Sequence, residues 1–173
     1  MSTLQVSKIK TLTGKPLVNT NGNVINVYHT YDTTQSYFAQ NADIDLTALS
    51  ITLTPTSSSS KFILTSVLNI TTNYVLGFGF KRNGNRIGKA TTGIKAGMGT
   101  NLSHIWFIAH QNNNYICEHP FTDIDIPNTT SPITYYPFYT NNWGNVAYGA
   151  YYNTRAPGDM GSTSTFTIYE VVG

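Results

Sequence analysis

Apolar and polar residues alternate along most of this chain, and the alternation is clearest between Lys61 and Gly88. Side chains of a strand point alternately to its two faces, so the run from Lys61 to Ile70 predicts one long strand. A polar bend follows it, and a second apolar run extends from Tyr74 to Lys81. Both runs are apolar on much of both faces, which is typical of strands in the middle of a packed sheet. We therefore predict that these two strands form the centre of a β-sandwich.

The segment after Lys81 predicts a tight turn. Asn83 and Gly84 are the residue types that adopt positive φ most readily, and both central residues of a type I′ turn need it. A two-residue hairpin connection at Asn83-Gly84 is therefore expected.

Shorter alternating runs precede and follow this stretch, separated by Pro, Gly and Asn turn signals. Apolar residues are nowhere spaced as in a helix over more than two turns, so we expect almost no helix. Short strands with turns between them predict an all-β fold, an antiparallel β-sandwich of the jelly-roll type. The main predicted flanking strands are Val24–Thr30, Ala48–Thr54, Leu102–Ala109, Phe121–Ile126, Ile133–Tyr139, Asn145–Asn153 and Thr163–Val172.

Residues 1–23 differ from the rest, and we expect an extended attachment arm before a sandwich domain at 24–173. Turn-forming residues surround its spaced apolar residues, which follow neither a heptad nor strict alternation. A frayed terminus is the alternative, since chain ends are commonly disordered. The apolar anchors of the predicted arm are Leu4, Val6, Ile9 and Leu12.

Composition narrows the possible partners. Only 10% of the 173 residues are charged and the net charge is +2, whereas nucleic-acid binding needs a concentrated basic face. The start of the chain lacks the apolar core of a secretory signal, and no apolar stretch is long enough to span a bilayer. We therefore expect synthesis in a cytoplasm, no membrane insertion and no nucleic-acid partner. No cofactor is expected either, since no phosphate-binding loop or nucleophile elbow is present.

Aromatic residues are concentrated near the C-terminus. The runs Ile133–Tyr139 and Asn145–Asn153 predict a hairpin around Thr140–Gly144 with rings on both faces. A two-layer sandwich covers only one face of each sheet, so half of these rings need another cover, and tyrosine is enriched at interfaces. We expect a subunit interface at Tyr135, Tyr136, Tyr139, Tyr148, Tyr151 and Tyr152.

The loop of that hairpin is a candidate receptor contact. Trp143 can stack on the apolar face of a sugar while Asn141 and Asn142 bond its hydroxyls. Alternatively Trp143 packs inward as a core or subunit contact, as tryptophan often does. Receptor contact would then be sought at Asn112, Asn113 and Asn114.

Paired carboxylates offer a candidate for metal or catalytic chemistry. Asp123 and Asp125 share one face of a strand, about 7 Å apart, and could bind Ca²⁺ or act as a glycosidase pair. The alternative, which alternating strands favour, is a polar outer face opposite Ile124 and Ile126. The same interpretation applies to the pair at 43 and 45.

Histidine, cysteine and glutamate also cluster in sequence. They lack the paired spacings of zinc sites, so metal binding is not expected. The single cysteine is expected to be a small buried apolar side chain. The cluster consists of His104, His110, Cys117, Glu118 and His119.

Four stretches in order resemble a known family: Ser2–Val27, Ser58–Ile70, Gly77–Gly88 and Ser162–Val172. They are similar to the distal domains of tail-fibre and related virion proteins from phages of marine cyanobacteria. The resemblance implies a jelly roll like that of the tumour-necrosis-factor superfamily, assembled as a homotrimer, displayed on a virus particle and touching the host surface. The loop Arg155–Met160 and the aromatic hairpin match nothing in that family.

The sequence thus favours a non-enzymatic, trimeric virion protein, a tail-fibre or receptor-binding module. Its expected partners are its own copies, other virion proteins through the arm, and a host surface glycan or protein. One alternative is a capsid decoration or head-fibre protein docked through the arm. A more distant one is a carbohydrate-active enzyme that uses Asp123 and Asp125.

Overall fold

The computed structural model describes residues 22–38, 43–72, 76–88, 101–106, 116–140, 149–156 and 158–171, with backbone alone at 104–106. This part of the chain holds twelve strands and one turn of 3₁₀ helix at Thr47–Leu49. The strands are β1 Val24–Asp32, β2 Ser36–Phe38, β3 Asp43–Asp45, β4 Ile51–Leu53, β5 Lys61–Thr71, β6 Leu76–Arg82, β7 Asn85–Arg86, β8 His104–Trp106, β9 Cys117–Asp125, β10 Ile133–Thr140, β11 Ala150–Tyr152 and β12 Ser164–Val171.

The first sheet is four strands wide. β5 is paired along one side with β9 and along the other with β12 and β11, which lie end to end. β1 pairs with β12, and β2 pairs with β11. Two neighbouring strands of this sheet are thus interrupted at the same level, between β1 and β2 and between β11 and β12.

The second sheet has the same width. β10 lies between β6 on one side and β3 and β4 on the other. β6 pairs along its other side with β7 and β8. β5 and β6 are therefore central strands of opposite sheets, in agreement with their apolar faces.

The order of these strands defines a jelly roll. From β1 onward the chain passes repeatedly from one sheet to the other, and all described pairings are antiparallel. Two such sheets, each four strands wide and packed face to face, are the jelly-roll form of the β-sandwich. The predicted fold class is confirmed.

The predicted aromatic hairpin is wrong in the described part of the chain. β10 pairs with β3, β4 and β6 in the second sheet. β11 pairs with β2 and β5 in the first sheet. Closeness in sequence suggested a ribbon, but in a jelly roll these two strands belong to opposite layers.

The core lies between the inner faces of the two sheets. Phe80 of β6 stacks at 5.4 Å between ring centroids on Phe166 of β12 and lies 4.8 Å from Phe121 of β9. Burial of such rings is the main favourable term in folding. The largest fully buried apolar side chains in the described residues are Tyr135, Tyr139, Tyr152, Phe62, Phe78, Phe80, Phe138, Phe166, Leu49, Leu64, Leu68 and Ile70.

The turn after β6 has the predicted conformation. Asn83 has φ 48° and Gly84 has φ 86°, and Arg82 pairs with Asn85 across them. Positive φ at both central residues of a two-residue loop is the type I′ geometry. Asn83 also anchors the turn to β10, because its Oδ1 accepts a hydrogen bond of 2.9 Å from the backbone N–H of Thr134.

The predicted arm lies almost wholly outside the described residues, so the division at residue 23 stays a prediction. The first strand, β1, begins at Val24.

Within the described residues, no helix is long and apolar enough to cross a membrane.

Candidate functional site

The outer face of the first sheet carries an apolar row that crosses all four strands. Ile63 of β5 is in register with Tyr169 of β12 and with Ile124 of β9, and Tyr169 is in register with Val27 of β1. Val27 is 58% exposed and Ile124 is 45% exposed. We call these four residues the apolar row. Ile25 and Ile126 are exposed at its two ends.

The two rows on the side of Thr65 carry no Asp, Glu, Lys or Arg, whereas Lys61 is exposed on the other side of the apolar row. His29, Thr167, Thr65 and Thr122 form the next row, and Tyr31, Thr165, Val67 and Pro120 form the one beyond. Polar groups of the first of these rows bond to one another. The His29 Nδ1 lies 2.9 Å from the Thr167 Oγ1, and the Thr65 and Thr122 hydroxyls are 3.2 Å apart. The face can therefore be covered without leaving these groups unpaired.

This face was not predicted from the sequence. Its signal was present, because β5 and β9 carry apolar residues on both sides of the alternation, Phe62 and Ile63 in β5 and Phe121 and Ile124 in β9. We explained the apolar residues of β5 by its place in the middle of a sheet. That explanation accounts for the inner face of β5, which packs in the core, but Ile63 on the outer face has nothing to cover it.

The predicted interface tyrosines are divided by the fold. Tyr135, Tyr139 and Tyr152 are at most 2% exposed, since they point into the sandwich, so the interface prediction is wrong for these three. Tyr136 is half-buried on the outer face of the second sheet, and its hydroxyl donates to Asp45 Oδ2 at 3.3 Å. Tyr151 is half-buried on the outer face of the first sheet, 4.7 Å from the ring of Tyr37. Tyr148 lies outside the described residues.

The orientation predicted for Asp123 and Asp125 is reversed. The two isoleucines at 124 and 126 are the exposed residues, and the carboxylates turn toward the second sheet at the edge strand β9. Asp125 Oδ2 accepts hydrogen bonds of 2.6 Å from both Arg82 and the Tyr135 hydroxyl. Burial is the main cause that raises the pKa of Tyr135, and the hydrogen bond to Asp125 is the second, so the phenol stays protonated and donates that bond.

Asp123 has partners of its own. It accepts from the Ser103 hydroxyl at 2.8 Å and from the backbone N–H of Ile124 at 2.8 Å. Both carboxylates thus tie β9 to neighbouring elements, and both already accept hydrogen bonds from protein donors.

The acidic pair at 43 and 45 lies on the outer face of the second sheet, as predicted, and holds two cations over Phe138. Lys81 Nζ is 3.1 Å from Asp43 and 2.6 Å from Asp45, and Arg86 also pairs with Asp43. Both cations lie over the Phe138 ring, at 5.2 Å and 4.8 Å from its centroid. Partial burial alone would raise the pKa of Asp43, but hydrogen bonds from Arg86 and Lys81 lower it overall.

This arrangement depends on a glycine. A Cβ at Gly79 would lie 2.8 Å from Phe138 Cε1, so the ring occupies the space over the neighbouring strand that a side chain would fill. The result is an outer face whose large ring is already buried by the chain itself. The second sheet therefore offers less uncovered apolar surface than the first.

Glu170 is the one charged residue with no exposed surface among those described. Its carboxylate accepts from Asn26 Nδ2 at 2.8 Å, from Thr56 N at 2.6 Å and from Ser60 Oγ at 2.7 Å. Burial by itself would raise the pKa of Glu170, but these donors lower it overall. The group fastens β1 and the loop before β5 to β12.

The members of the His, Cys and Glu cluster that the structure describes with side chains, at 117–119, do not converge on one site. His119 is buried and stacks on Phe78 at 4.8 Å, Cys117 is half-buried, and Glu118 is exposed. No group of three potential metal ligands occurs within the described ranges. The side chain of His104 and all of His110 lie outside them.

The predicted receptor contacts also lie outside the described residues. They are Asn141, Asn142, Trp143, Asn112, Asn113 and Asn114. The anchors of the predicted arm, Leu4, Val6, Ile9 and Leu12, lie outside the described residues as well. Their roles stay predictions.

Comparison with known proteins gives only distant likenesses. No family model and no curated protein matches the chain. Among solved structures, the VP2 subviral particle of infectious bursal disease virus is 17% identical with a TM-score of 0.35, over 86% of this chain and 37% of that chain. The structure of the Gt strain of the same virus is 16% identical with a TM-score of 0.38, over 86% of this chain and 38% of that chain. A mutant VP2 of the same virus, in T=1 particles, is 14% identical with a TM-score of 0.36, over 96% of this chain and 41% of that chain.

The chain therefore spans about two fifths of the length of the VP2 chains that it matches. Likenesses at these TM-scores carry no assignment of function.

Proposed function

We propose that this chain is a non-enzymatic structural module of a virus particle, a tail-fibre or receptor-binding protein that acts as a homotrimer in host-surface attachment. The viral assignment derives from the four stretches that resemble the distal domains of cyanophage virion proteins. The jelly-roll fold is compatible with it, because viral structural proteins and lectins both use this architecture.

The outer face of the first sheet is the main support for assembly. Soluble monomers seldom expose a continuous apolar patch, and a patch that crosses a whole sheet marks an interaction surface. The occupant that we propose is another copy of this chain. The apolar row and the two rows on its Thr65 side carry no Asp, Glu, Lys or Arg, and the exposed Lys61 lies on the other side of the row, in register with Val171. A neighbouring copy could therefore cover these rows without burying an unpaired carboxylate or ammonium, and their polar groups have hydrogen bonds of their own.

The particle contacts are assigned to the ends of the chain and to its loops. The arm with Leu4, Val6, Ile9 and Leu12 would attach the module to other virion proteins. The loop with Asn141, Asn142 and Trp143 would touch the host, where three copies in a trimer add avidity.

The test is adsorption of the purified protein to a panel of marine cyanobacterial strains. We expect saturable binding to susceptible strains, and Trp143→Ala is expected to remain a folded trimer while binding less. Absence of binding to every strain that the parent phage infects would contradict a receptor-binding role.

Location on the particle is tested separately. Gold-labelled antibodies against the chain should mark the tail tips in electron micrographs. Labelling spread over the head would instead identify a decoration or head-fibre protein. Enzymatic activity is tested by incubation with host lipopolysaccharide, where saccharide release that Asp123→Asn abolishes would contradict the non-enzymatic assignment.

A further inference from the structure

A cleft opens where the first sheet is interrupted. Pairing of β1 with β12 ends at Asp32 and Ser164, and pairing of β2 with β11 resumes at Ser36 and Tyr152. The cleft has a volume of about 260 Å³ and is lined by Gln35, Ser36, Tyr37, Thr154 and Gly158. We call it the Tyr37 cleft. Small-molecule pockets begin at roughly 300 Å³, so its size suits one small ring.

Asn153 holds the two interrupted strands apart and in place. It is fully buried and has φ 55°, a conformation that asparagine tolerates better than most residues. Its side-chain Nδ2 donates to the carbonyl of Asp32 at 2.8 Å, and its Oδ1 accepts from the Ser164 hydroxyl at 2.7 Å. The cleft is therefore built into the sheet by a buried polar residue.

Tyr37 is an exposed aromatic ring in a fixed position. It is 54% exposed, and its ring lies 4.7 Å from that of Tyr151, tilted by 43°. The backbone of Gly149 lies so close that a Cβ there would be 2.1 Å from the Tyr37 hydroxyl. Because Gly149 has no side chain, the Tyr37 ring can occupy the space beside it, and the ring is held at the surface in one position before any ligand binds.

An amide is fixed beside it in a similar way. Gln35 donates from Nε2 to the carbonyl of Asp159 at 3.2 Å. A Cβ at Gly161 would lie 2.9 Å from the same nitrogen, so this glycine makes room for the Gln35 side chain. The Gln35 Oε1 supplies a carbonyl acceptor on the exposed side chain.

The opposite wall is held by an ion pair within the loop between β11 and β12. Arg155 Nε and Asp159 Oδ2 are 2.5 Å apart, and Asp159 Oδ1 accepts from the N–H of Met160 at 2.7 Å. Because the cation is already paired, the wall offers no excess positive charge to an anionic ligand. This charge balance favours a neutral ligand over a phosphate or an acidic sugar.

From this geometry we propose that the Tyr37 cleft binds a neutral sugar ring. The apolar face of the sugar would stack on Tyr37, and its hydroxyls would bond to Gln35 and Ser36 at the rim. The inference rests on the proposed host-attachment function and adds a contact site that is separate from the loop with Trp143.

The cleft and the apolar row lie at opposite ends of one sheet, so both can operate together. On β5, Ile63 belongs to the apolar row, and Thr71 is the register partner of Tyr151. Eight residues of strand separate them, about 26 Å. A contact confined to the apolar row therefore leaves the cleft open.

The test uses the full chain on an array of immobilised bacterial saccharides, with methyl glycosides of neutral hexoses as competitors. We expect retention by at least one neutral glycan, at least about tenfold weaker binding in Tyr37→Ala, and near wild-type binding in Tyr37→Phe. Met160→Ala is the control, because it removes an exposed apolar side chain of the same loop that does not line the cleft.

Melting temperature and light scattering of each variant establish that it is folded and assembled. Retention of no glycan by the wild type, retention of acidic glycans only, or equal retention by wild type and Tyr37→Ala would each overturn the proposal. Failure here with intact adsorption to cells would leave the attachment function standing. Loss of adsorption by the wild type would instead remove the attachment function itself.

Discussion

Ile63 and Ile124 lie opposite each other on the outer face of the first sheet, in register across β5 and β9. Among the strands that the structure describes, β9 lies at the edge of its sheet, where exposed apolar residues invite association. Val27 on the opposite edge strand belongs to the same row. Apolar surface therefore extends from one edge of the sheet to the other, and we infer that a second copy covers it.

A charge placed in this row should prevent assembly. Val27→Lys is expected to yield folded monomers, because burying an unpaired ammonium in an apolar contact costs several kcal/mol. The measurement is mass by light scattering together with the melting temperature.

Thr52→Lys is the matched control for this experiment. Thr52 is exposed on the outer face of the second sheet, where its hydroxyl lies 2.8 Å from that of Thr134. The control should assemble as the wild type does. An assembled Val27→Lys protein would show that the apolar row is not the subunit contact.

The type I′ turn predicts a stability effect at Gly84. Gly84→Val should lower the free energy of unfolding by about 1 kcal/mol or more, because a β-branched residue is strained at positive φ. A Cβ added at Gly84 would have no atom within 4 Å, so the effect isolates backbone conformation from packing.

Gly84→Asn serves as the comparison, since asparagine tolerates positive φ, and its loss should be smaller. Chemical denaturation measures both variants. Equal losses in the two would mean that the conformation of the backbone at Gly84 does not set the stability of this turn.

Glu170 predicts a stabilisation that depends on pH. Its folded-state pKa is held below the ordinary 4.5, so its contribution is present above about pH 4.5 and is lost as the pH falls through the folded-state pKa. Glu170→Gln should lower the free energy of unfolding at pH 7 by about 1–3 kcal/mol. The variant should also lose part of the decline in stability that the wild type shows at acid pH.

Unfolding curves at pH 7 and at successively lower pH measure both effects. Glu118→Gln, which changes an exposed glutamate on β9, should leave both unaltered. A Glu170→Gln protein with the acid sensitivity of the wild type would assign that sensitivity to other carboxylates.

Local patterns predicted local structure well. Alternation located β5, β6 and β12, and Asn83-Gly84 specified its turn, because these features depend on neighbours in sequence. Pairing between strands that are distant in the sequence does not depend on sequence neighbours, so local patterns do not predict it. The runs Ile133–Tyr139 and Asn145–Asn153 looked like a hairpin, yet β10 and β11 join opposite sheets, and that division buries Tyr135, Tyr139 and Tyr152.

The orientation of β9 illustrates the same limit for the site. Alternation correctly put Asp123 and Asp125 on one face and Ile124 and Ile126 on the other, but hydropathy suggested the wrong one as inner. Arg82 and the Tyr135 hydroxyl satisfy Asp125 from the second sheet, and sequence cannot show that partners separated by 43 and 10 residues meet there.

The central claim is that the apolar face joins copies of this chain into a trimer. Its most direct test is the mass of the wild-type protein by light scattering after size-exclusion chromatography at micromolar concentration. We predict three times the chain mass of 19.1 kDa, stable on dilution through the same range. A mass of 19.1 kDa at these concentrations would contradict the claim.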